Sequence, residues 1–217
     1  IGKRENVEKV VTLAKQQNIP IRIGVNAGSL EKDLLDKDIP LHEKMVESAM
    51  KHIQILEDLE FDKIKVSLKS SDVLTTIEAY RLMAQRVEYP LHLGVTEAGT
   101  LKGGLIKSSV GLGTLLAEGI GDTIRVSLTE NPVEEVFAGY EILKSLKLRQ
   151  RGVNFVSCPT CGRTQIDLIG LAKKVEARFK NLDKNITIAT MGCAVNGPGE
   201  ARHADFGIAG GINEGYV

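Results

Sequence analysis

"DKIKVSLK" (residues 62–69) carries the pattern on which the fold turns. Taken alternately along an extended chain, Ile64, Val66 and Leu68 fall on one side and Lys65, Ser67 and Lys69 on the other. Three more stretches repeat the arrangement: "IPIRIGVN" (19–26), "YPLHLGVTE" (89–97) and "DTIRVSLTE" (122–130). Their first sides read Ile21, Ile23, Val25; then Leu91, Leu93, Val95; then Ile124, Val126, Leu128. Their second sides read Arg22, Gly24, Asn26; then His92, Gly94, Thr96; then Arg125, Ser127, Thr129. Across all four stretches, one side is wholly apolar and the other is polar or glycine.

Each stretch is followed by a helical pattern. Residues 41–59 place Met45, Ala49, Ile53, Leu56 and Leu59 at helical spacing, and 72–86 and 132–147 read similarly. Pro132 suits a first helical turn. The connection 99–120 is glycine-rich and predicts a shorter helix. Strand and helix in alternation predict an α/β fold with a parallel sheet or barrel. A strand buried on both faces of a doubly wound sheet would be almost continuously apolar. Half-polar parallel strands instead suit a barrel whose outer face packs on helices and whose inner face lines a polar lumen. An antiparallel sheet with one solvated face is the alternative, and the long helical connections count against it. Four units make half of an eight-fold barrel, so the expectation is part of a TIM-type (β/α) barrel.

Arg22, Lys65, Lys69, His92 and Arg125 on the polar side point to an anionic ligand, with phosphate or diphosphate the leading choice. Active sites of such barrels lie at strand C-termini, which favours Asn26, Lys69, Thr96 with Glu97, and Ser127. The balance of 28 basic and 28 acidic residues argues against bulk binding to nucleic acid or a membrane surface. No apolar run approaches the roughly 18–20 residues of a membrane span, and no signal peptide is visible. The chain opens at Ile1 on a helical pattern (Val7, Val10, Val11, Leu13, Ala14) and reads there like the middle of a longer sequence.

A basic, turn-rich junction, "LKLRQRG" (146–152), ends the first pattern and predicts domains over 1–148 and 149–217. In the second, "VNFVSC" (153–158) and "NITIATMGC" (185–193) read as strands flanking a helix over 164–180. A βαβ unit sets parallel strand ends side by side, so Cys158 and Cys161 are expected to converge on Cys193. Three closely grouped cysteines favour a metal or redox site over disulfides, hence a reducing, cytoplasmic setting. Three readings stand: an iron–sulfur cluster with a non-thiolate ligand on one iron, a zinc site lacking its second CxxC, and a dithiol pair that leaves Cys193 idle. The first is favoured. Glu200, after "NGPG", would be a weak and exchangeable oxygen ligand; its bland reading is an exposed loop carboxylate.

"CPTCGRT" (158–164) and "MGCAVNGPGE" (191–200), at this spacing, closely resemble the 4-hydroxy-3-methylbut-2-enyl diphosphate synthases, the IspG or GcpE family. The resemblance extends through "IRIGVNAGSLEKDLL", "KVSLKSSDV", "LGVTEAG" and "IRVSLTENP". It implies a barrel joined to a small α/β domain that carries a 4Fe–4S cluster. It also implies reductive opening of 2-C-methyl-D-erythritol 2,4-cyclodiphosphate with electrons from ferredoxin or flavodoxin. Cluster ligands would fall on Cys158, Cys161, Cys193 and Glu200, and diphosphate contacts on Arg22, Asn26, Lys69, Arg125 and Ser127. Thr96 and Glu97 would lie near the reacting carbon, with Glu97 handling a proton. Members of the family are homodimers in which one subunit's cluster domain closes over the other's barrel. The family also has more barrel before residue 1 and more chain after "GIAGG".

Overall fold

The structure is a computed structural model that describes residues 4–211 and 215–216. It comprises two compact units, Ile1–Leu146 and Lys147–Val217, taken here in turn.

The first unit runs α1 (Arg4–Gln17), β1 (Ile21–Asn26), the single turn α2 (Lys32–Leu35), α3 (Leu41–Asp58), β2 (Ile64–Lys69), α4 (Val73–Ala84), β3 (His92–Leu93), α5 (Leu101–Ala117), β4 (Thr123–Ile124) and α6 (Pro132–Ser145). β1 and β2 pair in parallel from Ile21↔Ile64 to Asn26↔Lys69, and β3 and β4 pair in parallel through His92↔Thr123 and Leu93↔Ile124. A parallel bridge, Val66↔Leu91, links the two pairs. Every strand pairing in this unit is parallel, which removes the antiparallel alternative. Among the described residues the strands do not close into a barrel.

The apolar side of the strands is the core. Ile23, Val25, Val66, Leu68 and Leu93 are buried in one cluster with Met45 and Ile53 of α3, Ile77 and Met83 of α4, and Leu112 and Leu115 of α5. Each such side chain removed from water contributes about 1.5–3 kcal/mol. Helix starts follow the local chemistry. Asp72 caps α4, its carboxylate accepting from Thr75 N–H at 2.7 Å, and Asn131 caps α6 ahead of Pro132.

α5 departs from its expected length: it spans 17 residues despite four glycines. Helix propensity is outweighed there by close packing. A Cβ on Gly104 would stand 2.8 Å from Gly99 O and 2.7 Å from the Leu128 side chain, and one on Gly111 would stand 2.9 Å from Val95. These glycines let the helix lie tightly against its neighbours.

β3 and β4, in contrast, are far shorter than the alternation over 89–97 and 122–130 implies. On one side of the gap Val66 N–H donates to Pro90 O (2.9 Å), and on the other Thr96 N–H donates to Ser70 O (3.1 Å), in a common register. The intervening rung would join Leu68 N–H to His92 O. The Tyr80 hydroxyl takes that place, accepting from Leu68 N–H at 3.0 Å and donating to His92 O. Tyr80 is fully buried, and burial pushes its phenol up to about 12, so the hydroxyl keeps its proton at neutral pH.

The second unit contains β5 (Asn154–Ser157), α7 (Leu168–Phe179), β6 (Thr187–Met191), α8 (Gly197–Glu200), β7 (Phe206–Gly210) and β8 (Gly215–Tyr216). Its sheet has the order β5-β6-β7-β8, parallel except for the last pair. α7 starts later than residue 164, because Asp167 caps it (Gly170 N–H to Asp167 Oδ1, 2.9 Å). Residues just before the cap are spent on loop bonds instead, Thr164 N–H to Cys161 O and Gln165 N–H to Gly192 O.

Tyr80→Phe should destabilise the first unit by about 1–3 kcal/mol, since it leaves a buried N–H and a buried carbonyl without their shared partner. Denaturant unfolding followed by circular dichroism measures this. Parent-like stability would show that β2 and β3 zip together at no cost once the hydroxyl is gone.

Candidate functional site

The polar side of the first unit's strands gathers the cations expected there. Cross-strand pairing sets Arg22 beside Lys65 and Asn26 beside Lys69. Lys65, Lys69, His92 and Arg125 are half-buried, while Arg22 and Asn26 are exposed. Burial, reinforced by Arg125 and Arg22, lowers the Lys69 ammonium from its ordinary value. Burial likewise lowers the His92 imidazole, with Arg22, Arg125, Lys65 and Lys69 all adding to the effect. The five groups therefore share one positive field. Among the described residues no carboxylate forms an ion pair with Arg22, Lys65, Lys69 or Arg125.

Neutral partners do hold parts of the cluster. His92 Nδ1 lies 2.7 Å from Thr123 Oγ1, and Arg125 Nη2 donates to Val95 O at 3.2 Å. Arg125 Nε is buried with no acceptor. Partly desolvated cations without a counter-ion are unfavourable, and a multivalent anion would relieve that cost.

At the strand ends, Thr96 is half-buried and bonded through its N–H to Ser70 O, as above. Glu97 follows it, exposed, with φ at 51°. A left-handed backbone is uncommon outside glycine and recurs at functional positions. It turns the chain out of the strand at this carboxylate. Ser127 is half-buried in a segment fixed by Leu128 N–H to Glu135 Oε1 (2.8 Å) and Thr129 N–H to Gly99 O (2.9 Å). Tyr80 escaped the sequence reading because it occupies an ordinary apolar helix position; nothing local signals that its hydroxyl enters a sheet rung.

In the second unit, β5 and β6 run parallel with Ser157 opposite Thr190, so Cys158 and Cys193 follow neighbouring strand ends. Cys158 Sγ accepts from Gly192 N–H at 3.2 Å. Cys193 is buried, and its thiol is lowered from the ordinary value by backbone N–H groups, first that of Asn196, then those of Val195 and Gly197, with Arg163 helping. Amide donors aimed at sulfur favour thiolate, the form that ligates metal. Cys161 lies exposed beyond Pro159, its N–H bonded to Pro159 O (2.9 Å). Glu200 is exposed at the end of α8, its N–H bonded to Asn196 O. The convergence of all three cysteines expected from the βαβ unit is not reached: among the described residues no three His, Cys, Asp or Glu side chains come together as a group able to hold a metal ion. The βαβ geometry governs only residues that directly follow the strands, and Cys161 lies one turn further on. The chemistry of the donors fits a thiolate-bound centre, with two sulfurs already served by backbone N–H groups.

Comparison with known proteins adds a family. Residues 1–140 match the family model described as the GcpE TIM-barrel domain, and residues 154–217 match that of the GcpE protein C-terminal domain. Over 218 aligned residues the chain is 64% identical to a protein of Geobacter sulfurreducens and 62% identical to one of Clostridium perfringens. A protein of Fusobacterium nucleatum is 61% identical. All three are named 4-hydroxy-3-methylbut-2-en-1-yl diphosphate synthase (flavodoxin). Each alignment covers 100% of this chain and 62% of the relative, so the chain spans less than two thirds of their length. Both of its units carry the family's sequence pattern, and the chain belongs to the GcpE family.

Proposed function

We propose that this chain carries substrate-binding and cluster-binding parts of an oxidoreductase of non-mevalonate isoprenoid biosynthesis, a 4-hydroxy-3-methylbut-2-enyl diphosphate synthase. The substrate is 2-C-methyl-D-erythritol 2,4-cyclodiphosphate; two electrons and two protons open its ring and release water. One observation carries the reading: a group of cations, most of them half-buried, with no carboxylate partner among the described residues, in a chain of this family. A diphosphate supplies the missing negative charge.

In this reading residues 1–148 are part of a TIM-type barrel and 149–217 a 4Fe–4S domain. Arg22, Asn26, Lys69, Arg125 and Ser127 hold the diphosphate, and Thr96 and Glu97 face the reacting carbon, with a proton handled at the Glu97 carboxylate. Cys158, Cys161, Cys193 and Glu200 hold the cluster. When bound, it supplies the electrons and a Lewis-acidic iron toward the departing oxygen. Glu200 serves as the oxygen ligand that can yield to substrate, which a fourth cysteine could not do. Flavodoxin, named for the relatives, or ferredoxin delivers the electrons. The working protein is a cytoplasmic homodimer whose cluster domain closes over the partner barrel. No described helix is long and apolar enough to cross a membrane.

Three experiments on the full-length, anaerobically purified protein test the proposal. Lys69→Ala should weaken substrate binding by about 2–5 kcal/mol while iron content stays at the parent level; undiminished binding measured by calorimetry would remove the anion site. Glu200→Cys should retain its iron, shift in reduction potential and lose nearly all turnover. Parent-like turnover in that variant would leave Glu200 an ordinary loop carboxylate.

The third concerns pH. His92 is lowered below its unfolded value of 6.5, so the unfolded chain binds more protons in the window beneath 6.5. The contribution of His92 to stability is therefore full above 6.5 and is lost as pH falls through the lowered value. A bound anion favours imidazolium, so pyrophosphate should move the His92 midpoint upward in an NMR titration. A midpoint indifferent to pyrophosphate would place the anion elsewhere.

A further inference from the structure

We infer that Gly94 is a positioning residue for the anion site: its missing side chain leaves the space in which the Arg125 guanidinium lies. The inference rests on the anion-site reading above and adds to it a residue with no charge and no polar side chain.

Register places Gly94 between two cations. Val66↔Leu91 and the Thr96 N–H to Ser70 O bond set Lys69 opposite Gly94 on β2's side, and Leu93↔Ile124 sets Arg125 opposite it on the other. With Asn26↔Lys69, one cross-strand row reads Asn26, Lys69, Gly94, Arg125. The two cations therefore originate on either side of a single glycine in this row. The Arg125 side chain leans over that glycine. A Cβ on Gly94 would stand 3.2 Å from Arg125 O, 3.4 Å from Nε and 3.5 Å from Nη2. The guanidinium is fixed in this pose by the bond from Nη2 to Val95 O, and no carboxylate among the described residues holds it there.

A methyl group would just touch the guanidinium while pressing on the Arg125 carbonyl. A γ atom directed toward the guanidinium would enter the volume it fills. Gly24 also stands on the polar side, yet a Cβ there would meet nothing within 4 Å, so of these two glycines only Gly94 has a cation lying against it. Gly94, directly after β3, marks a close approach, and the approaching group is the Arg125 cation. Displaced from that pose, Arg125 keeps its charge but can no longer share an anion with Lys69.

The test is calorimetric titration of the full-length protein with inorganic pyrophosphate, in Gly94→Ala, Gly94→Val, Arg125→Ala and the double variant Gly94→Val/Arg125→Ala. The Gly94 backbone is outside the left-handed region, so valine is not excluded there by φ, and its Cβ contact with the Arg125 carbonyl is common to both Gly94→Val variants. Gly94→Val should weaken binding about tenfold or more and Gly94→Ala by less, whereas Gly94→Val should cost less than about twofold once Arg125 is absent. The pyrophosphate-induced shift of the His92 NMR midpoint should shrink in step. Parent-like binding by Gly94→Val overturns the inference, while a loss in Arg125→Ala alone preserves the anion site. No loss in Arg125→Ala removes the anion site itself. An undiminished effect of Gly94→Val without Arg125 shows that it acts through the backbone, which also overturns the inference. If Gly94→Val lacks a thermal unfolding transition, recovery of that transition in the double variant supports the steric contact, and failure to recover it refutes it.

Discussion

Like charges gathered on one face set the constraint that the rest of the first unit must meet. Like charges repel most where they are partly removed from water, and here Arg22, Lys65, Lys69 and Arg125 share one face with His92. The lowered Lys69 and His92 record burial first and the neighbouring cations second. A fold accepts such a face only if the other side of the same strands contributes more. It does: alternate residues supply Ile23, Val25, Val66, Leu68 and Leu93 to the buried cluster. Stability and the proposed anion binding thus belong to opposite sides of the same backbone. Neither side can be redesigned by a register slip, because shifting by one residue would bury the cations and expose the core.

Positioning the cations requires a backbone that is rigid but not uniformly zipped. Tyr80 reaches from α4 into the rung between Leu68 and His92 and satisfies both groups through one oxygen. β2 and β3 keep their register on either side of it while standing apart at the level of Lys69 and Gly94. The outer layer is drawn close by contrast, with Gly104 and Gly111 of α5 packed against Gly99, Leu128 and Val95. Small residues bring the helix in; a large buried phenol holds two strands apart. Between them the polar side gains room for side chains such as Arg125 without losing its core.

The second unit solves a different problem, that of presenting sulfur. Parallel β5 and β6 bring Cys158 and Cys193 to neighbouring ends, where Gly192 N–H donates to Cys158 Sγ and the backbone amides after Cys193 lower its thiol. Amides cannot be titrated or oxidised, so they stabilise thiolate without competing for protons or electrons. Hydrogen bonds to sulfur also tune the potential of a cluster bound there. Cys161 and Glu200 stand on a turn and a single helical turn, exposed, in a segment rich in glycine and proline. Such segments adjust to a ligand at little cost, which suits the exchangeable ligand site proposed above.

Period-two alternation, read from the sequence alone, determined the parallel α/β layout, the polar side with Arg22, Lys65, Lys69, His92 and Arg125, and the neighbouring strand ends that carry Cys158 and Cys193. These follow from local rules: a strand's residues alternate sides, and a βαβ crossover returns in parallel. The family was legible too, because its motifs are long and contiguous. Tertiary packing alone decided three other things: that a glycine-rich segment forms the long helix α5, that β3 and β4 pair over two residues each, and that Arg125 lies over Gly94. Each depends on two segments distant in sequence meeting at a separation of a few ångströms. No pattern within one segment encodes that distance. Glycine in particular looks the same in a sequence whether it breaks a helix, packs one, or leaves room for a neighbouring guanidinium.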